Sequence, residues 1–190
     1  GQIQAISLNG YVLQQVNWQL KPWALLTGKL ALSLDIGQTR QTALPYAKAQ
    51  LSYGFSGLEL QSSQLRLPVE PIIPLLKLRL PFQVAASGTM LLNIEQFSWG
   101  QPWCEQLAGK ASWLDAKFQA PSGWIDLKAI DANLSCEQGQ LQLVTEPANP
   151  LALNVTALIG EQGSYQLNGT LKPDASLPKE VHQAMQFVGQ

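Results

Sequence analysis

The chain has 190 residues, enough for one domain with a sizeable core, and 46% of them are hydrophobic, well above the disordered regime. Its formal net charge is −1 with only 13% charged residues, which excludes the basic field that draws nucleic acid or anionic lipid. Glutamine stands at 23 positions, so the polar surface is mostly neutral, as suits the wet faces of sheets.

Period-two alternation dominates the chain from its start and predicts strands. Val12, Val16, Trp18 and Leu20 are apolar between polar Gln15, Asn17 and Gln19. From Leu26 to Ile36 the apolar positions Leu26, Leu30, Leu32, Leu34 and Ile36 face one way, and Thr27, Lys29, Ser33 and Asp35 the other. Ala47, Ala49, Leu51 and Tyr53 repeat the pattern. The tract from Leu67 to Pro81 breaks it with four prolines, which cannot donate to a sheet ladder, and reads as a loop with one helical turn and a short strand. In the second half Ile130, Ala132, Leu134 and Cys136 form one apolar face, and Leu151, Leu153, Val155, Ala157 and Ile159 another. Gly37, Gly57, Gly100, Gly123, Gly139 and Gly163 supply turns. At the C-terminus, helical spacing of Leu177, Val181, Ala184 or Met185, and Val188 after Ser176 predicts an amphipathic helix over 176–189, docked by its apolar face on the sheet.

The expected fold is therefore all-β: about a dozen short strands in an antiparallel, curved or sandwich-like architecture with a short C-terminal helix. The chain also repeats itself. Trp18 and Trp99, Gly28 and Gly109, and Gly88 and Gly169 are each 81 residues apart in similar local sequences. Such a repeat predicts one domain, 1–190, built from two units at about 8–90 and 91–171.

No apolar run approaches the ~18–20 residues that span a bilayer. Gly1-Gln-Ile-Gln-Ala lacks the charged start and apolar stretch of a signal peptide, although such a segment is free to precede it.

Chemistry is sparse. The one histidine, His182, lies beside the apolar stripe of the expected helix with no spacing that offers a nucleophile and a carboxylate, so it reads as a partly exposed helix residue. Asp126 and Asp131 are five residues apart, an odd offset that puts them on opposite faces of a strand and excludes a paired-carboxylate site. Gly88-Thr89 and Gly169-Thr170 lack the glycine-rich span and lysine of a phosphate loop. No enzyme, cofactor site or metal site is expected. The two cysteines, Cys104 and Cys136, are too few for a four-ligand zinc site and fit a disulfide in an oxidising compartment, the alternative being two buried thiols. Of six tryptophans, Trp18, Trp23, Trp99 and Trp103 are matched by the repeat while Trp113 and Trp124 are unique. Core packing with each indole N–H bonded locally is the expectation, over an exposed stacking platform. Two openings for partners remain: sheet edges that accept another strand, and an apolar face open to lipid.

The tract Val16-Asn-Trp-Gln-Leu-Lys-Pro-Trp-Ala-Leu-Leu-Thr-Gly-Lys-Leu30 resembles the opening of the periplasmic part of the type II secretion system protein N family. Gly163-Ser-Tyr-Gln-Leu-Asn-Gly-Thr-Leu-Lys-Pro173 resembles its close, and the proline-rich loop before Gly88-Thr89 falls where the family has one. The resemblance covers essentially the whole chain. It implies a periplasmic β-domain of a bacterial inner-membrane protein, anchored by an N-terminal helix and serving a machine that exports folded proteins across the outer membrane. Members carry that helix and a further strand-like segment before the position of Gly1, so this chain looks like a truncated soluble domain. Implied partners are other inner-membrane and periplasmic components of the system. The likeness extends to β-groove proteins of lipid transport, which keeps a carrier of lipid or another apolar ligand open as the alternative to a scaffold.

Overall fold

A computed structural model describes residues 1–8, 11–39, 44–72, 85–120, 123–149, 151–161, 164–170 and 172. Among the described residues eleven strands follow one another and pair only with their sequence neighbours, all antiparallel. They are β1 (Gln2–Leu8), β2 (Tyr11–Lys21), β3 (Leu30–Ile36), β4 (Tyr46–Gly54), β5 (Gly57–Pro68), β6 (Ala86–Trp99), β7 (Cys104–Ala120), β8 (Gly123–Glu137), β9 (Gln140–Thr145), β10 (Asn154–Ile159) and β11 (Tyr165–Thr170). The result is a single meandering sheet with β1 and β11 at its edges.

The alternating sequence explains this sheet, and the register shows how the two faces are sorted. Asp35, Lys48, Gln64, Asn93, Lys110 and Asn133 lie opposite one another across β3–β8 and form a polar ladder. Asp35 and Lys48 pair at 3.9 Å, and Lys110 reaches Glu146 at 3.4 Å. The residues flanking these rungs, such as Leu34, Ile36, Ala47, Ala49, Leu92, Ile94, Ala132 and Leu134, carry the apolar side chains of the other face.

Extensive contacts between elements join neighbouring strands, apart from a short 3-10 turn against β3 and an approach of β7 to β9. Of the two expected architectures, a curved sheet or a sandwich, the described residues form the single sheet. Curvature has two visible sources. Gln15, Ser62, Asp115 and Lys128 adopt positive φ inside strands, and pairing shifts between Lys48 and Gln50, Ile94 and Gln96, and around Ala116. Bulges of this kind bend a strand and increase its twist. β7 and β9, two strands apart, come within 8 Å at some residues, where a flat sheet would hold them at about 9.6 Å.

Burial is deepest in one small core. Ala116, Ile125 and Leu127 are buried, with Trp113, Phe118, Ile130 and Leu151 packed around them. Elsewhere most apolar side chains of the described residues are half-buried.

Three sequence expectations change. Leu26 belongs not to a strand but to the 3-10 turn Pro22–Thr27, which starts at Pro22 and is stopped by Gly28 in the left-handed region at φ 72°. β5 continues through Leu67 to Pro68, which still faces Thr89, so the proline-rich tract begins as strand; its part at 73–84 lies outside the described residues. The tandem repeat is not confirmed. Trp18 stands three residues before the end of β2 and Trp99 ends β6, while Gly28 closes a turn and Gly109 sits inside β7. The expected unit boundary at 90/91 falls within β6, which pairs β5 on one side and β7 on the other. The helix expected over 176–189, and His182 with it, lies outside the described residues. No helix among the described residues is long and apolar enough to cross a membrane.

Candidate functional site: an open apolar face

Because directly opposed residues share a face, the pairing converts the alternation of each strand into rows across the sheet. One row runs Leu20, Leu32, Leu51, Leu60, Phe97, Leu107 over β2–β7. A second runs Ile36, Ala47, Leu65, Leu92, Ala111, Ala132 over β3–β8. A third carries the apolar face to the far edge through Leu134, Leu143, Ala157 and Leu167 on β8–β11. The same face thus continues over ten strands, about 43 Å at the usual strand spacing. Most of its members from β3 to β10 are half-buried, neither dry nor fully wet. A contiguous apolar surface of that length is far larger than the scattered apolar residues of ordinary surfaces.

One rim of this face is aromatic. Hairpin ends after β2, β4, β6 and β10 place Trp23, Tyr53, Phe55, Trp99, Trp103 and Tyr165 along the same side of the sheet. Trp99 and Trp103 stack edge-on with centroids 5.8 Å apart, and the Trp103 indole N–H donates to the Gly160 carbonyl at 2.6 Å. Trp113, at the opposite side, donates to the Ser87 carbonyl at 3.0 Å. The expectation that the tryptophans pack in the core with bonded indoles holds for Trp113 and, in its bond, for Trp103. It fails for Trp23, which is 80% exposed on the 3-10 turn, and for Trp124, which is 53% exposed.

Cys104 and Cys136 are joined by a disulfide with Cα atoms 6.1 Å apart, linking the start of β7 to the end of β8. Cys104 is also the largest fully buried side chain among the described residues. Asp126 and Asp131 correct the parity argument. The bulge at Lys128 resets the alternation, as burial switches from Ile125 and Leu127 to Ile130, Ala132 and Leu134, so both carboxylates turn to the polar face. Asp126 accepts a bond from the Lys128 amide at 2.8 Å, and five strand residues, about 16 Å, separate it from Asp131. They still make no paired-carboxylate site.

A depression of ≈ 710 Å³ on the sheet is lined by Arg66, Glu70, Gly88, Thr89, Leu114 and Asp115. Arg66 is engaged there, donating to the Thr39 and Gln38 carbonyls at 3.0 and 3.1 Å and lying 5.4 Å from the Tyr46 ring centre. Among the described residues no three His, Cys, Asp or Glu side chains gather as metal ligands would. At the aromatic rim, Glu59 accepts from Lys29 at 2.9 and 3.0 Å, Ser56 at 2.9 Å and Ser52 at 3.1 Å. The Lys29 bond first, then those of Ser56 and Ser52, hold its carboxyl below the ordinary glutamate range.

A single-layer antiparallel meander with one continuous apolar face, one polar face and an aromatic rim is a surface-presenting β-protein. The family model for type II secretion system (T2SS), protein N matches residues 1–190, and the chain belongs to that family. It is 28% identical over 193 residues to the type II secretion system protein N of Aeromonas hydrophila, covering 100% of this chain and 74% of that one. To the Vibrio cholerae protein of the same name it is 25% identical over 191 residues, covering 100% and 75%. The Klebsiella pneumoniae protein matches at 28% over 129 residues, 66% of this chain and 50% of its own. No solved structure matches.

Proposed function

We propose that this chain is a non-enzymatic accessory component of the type II secretion system, acting in the periplasm as part of the machine that exports folded proteins across the outer membrane. The whole of 1–190 works as one unit, and it binds other inner-membrane or periplasmic members through its sheet edges. The observation that carries the binding mode is β11: among the described residues it pairs only with β10, and all six of its residues are exposed. The outer side of such an edge strand offers a row of backbone donors and acceptors to an incoming strand. Photo-crosslinkers at Gln166 and Asn168 are expected to capture another secretion component in cells. Normal export after deletion of the gene, together with no crosslinked component, removes the reading.

The apolar face supports a second reading, a groove-type carrier for lipid or another apolar ligand. Ten strands of continuous apolar surface in a single bent layer offer an acyl chain a surface to lie along. Native mass spectrometry of protein drawn from membranes separates the two: bound lipid assigns the face to a carrier, and its absence leaves the edge-bound scaffold.

A further inference from the structure

We propose that the turn Pro22–Thr27 and the neighbouring β4–β5 hairpin form a tip that inserts into the interfacial region of a phospholipid bilayer. The inference goes beyond the secretion role and does not depend on what fills the apolar face.

The two loops are built side by side. Leu30 opposes Tyr53, and the Phe55 ring packs so closely over Gly28 that a Cβ there would lie 3.0 Å from it. Together they project Trp23 and Leu26, each 80% exposed, Leu25, and the fully exposed Phe55. Large apolar side chains on protruding turns have no concave surface to receive a partner's side chain, whereas a bilayer interface takes such a protrusion directly. Tryptophan and tyrosine favour that interface, with leucine and phenylalanine deeper.

The backbone is prepared for a less polar medium. The Ala24 carbonyl accepts from the Lys29 amide at 3.0 Å and from the Thr27 hydroxyl at 2.8 Å, and the Leu25 carbonyl accepts from the Gly28 amide at 3.0 Å. Unsatisfied carbonyls would oppose immersion at several kcal/mol each. Between residues 20 and 30 and between 53 and 57 the only charged side chains are Lys21 and Lys29, whose long stems let the ammonium groups stay at headgroup level. Glu59, just behind, is neutralised by Lys29. Farther along the same rim Glu105, Glu137 and Glu161 stand at the later hairpins, which limits contact to the β2–β5 end. Leu20 and Leu30, exposed at the base of the turn, continue the tip into the apolar face. A chain of net charge −1 has no long-range pull toward a membrane, so the binding rests on insertion and not on charge.

The test is flotation of the 190-residue chain with phosphatidylcholine vesicles and with vesicles containing phosphatidylglycerol. Binding to both is expected, with little dependence on salt, falling at least about tenfold in Trp23→Ser/Leu26→Ser/Phe55→Ser. Trp124→Ser, an exposed tryptophan on the opposite side, should float like the parent. Near-UV circular dichroism checks the fold of each variant. Quenching of the parent's tryptophans by brominated lipids, reduced in Trp23→Phe, reads insertion without relying on the triple variant. No flotation of the parent, equal flotation of the triple variant, or loss in Trp124→Ser overturns the proposal. Dimerisation abolished by Trp23→Ser in the absence of flotation assigns the tip to a second copy and overturns it too.

Discussion

Trp103 and Gly160 are 57 residues apart in sequence, yet the indole N–H of one donates to the carbonyl of the other at 2.6 Å. Trp103 precedes β7 and Gly160 follows β10, so the bond bridges three strand intervals, about 14 Å on a flat sheet. It fastens the β6–β7 hairpin to the β10–β11 turn, and it marks the place where the sheet has curled. Trp103→Phe keeps most of the ring and removes the donor. The expected loss is about 1–2 kcal/mol in urea unfolding, with faster amide exchange at Gly160 and Ser164. Unchanged stability with unchanged exchange would mean that the bond does not hold the curl.

Cys104 and Cys136 close a loop with a sequence separation of 32 between β7 and β8. In the chain-entropy model such a closure stabilises by roughly 3–4 kcal/mol through the unfolded state. Cys104→Ala/Cys136→Ala should lower the unfolding free energy by that amount, read as a lower urea midpoint together with a steeper slope from the less constrained unfolded chain. Because Cys104 is 2% exposed and Cys136 half-buried, reductant should reach the bond through the Cys136 sulfur, and mass spectrometry should find no alkylated thiol before reduction. Ready alkylation of the native protein would contradict this.

The Glu59 carboxylate has a lowered folded pKa, set first by Lys29 and then by Ser56 and Ser52. A depressed carboxyl contributes stability that is present above its unfolded value, 4.5, and is lost as pH falls through the lower folded value. Glu59→Gln should therefore be less stable than the parent at neutral pH, and the difference should shrink as the solution is acidified below 4.5. An NMR titration of the Glu59 side chain should give a midpoint below that figure. A midpoint at or above it defeats the assignment.

What was legible in the sequence is the sorting of each strand. Leu30, Leu32, Leu34 and Ile36 face one way because period two is a property of the extended backbone itself. The Cys104–Cys136 pairing was legible as well, since two cysteines leave one partner each. The phase between segments was not. Gln15, Ser62, Asp115 and Lys128 carry no glycine signal, although each takes a positive φ, and the pairing shifts at the last three. Lys128 is why Asp126 and Asp131 share a face that simple counting separates. The 3-10 turn hid for a related reason: Trp23 to Leu26 is apolar enough for a strand, and only Pro22 and Gly28 at its ends reveal a turn. The number of layers was also beyond the sequence, because an apolar face reads the same whether a second sheet covers it or not.

Gly88 was legible as a glycine but not as a constraint. It lies in β6 at φ 120°, where a Cβ would meet the Leu114 and Asp115 carbonyl oxygens at 2.5 and 2.8 Å. Backbone cannot give way as a flexible side chain can. Gly88→Ala should destabilise by about 1–3 kcal/mol, from the disfavoured φ and the clash together. Gly123→Ala, at φ 124° with open space around it, separates the two causes. Only the conformational part should be lost there. Equal losses at both sites would show that the carbonyl contacts at Gly88 contribute nothing.

The last prediction concerns the apolar face itself. Leu34 stands in the middle of β3, half-buried, opposite Trp18 on one neighbour and Ala49 on the other. Asp35, the next residue, points to the polar face and pairs with Lys48. Leu34→Glu places a carboxylate on the surface where an acyl chain would lie, at a position wet enough for the fold to tolerate it. Asp35→Asn alters charge on the wrong face and serves as the control. If the face carries an apolar ligand, protein extracted from membranes should show lipid by native mass spectrometry in the parent and in Asp35→Asn, and little in Leu34→Glu. Export in cells should fall with the lipid. If Leu34→Glu exports normally and the parent holds no lipid, the face is not a carrier surface, and the work of this chain rests on its edge strands.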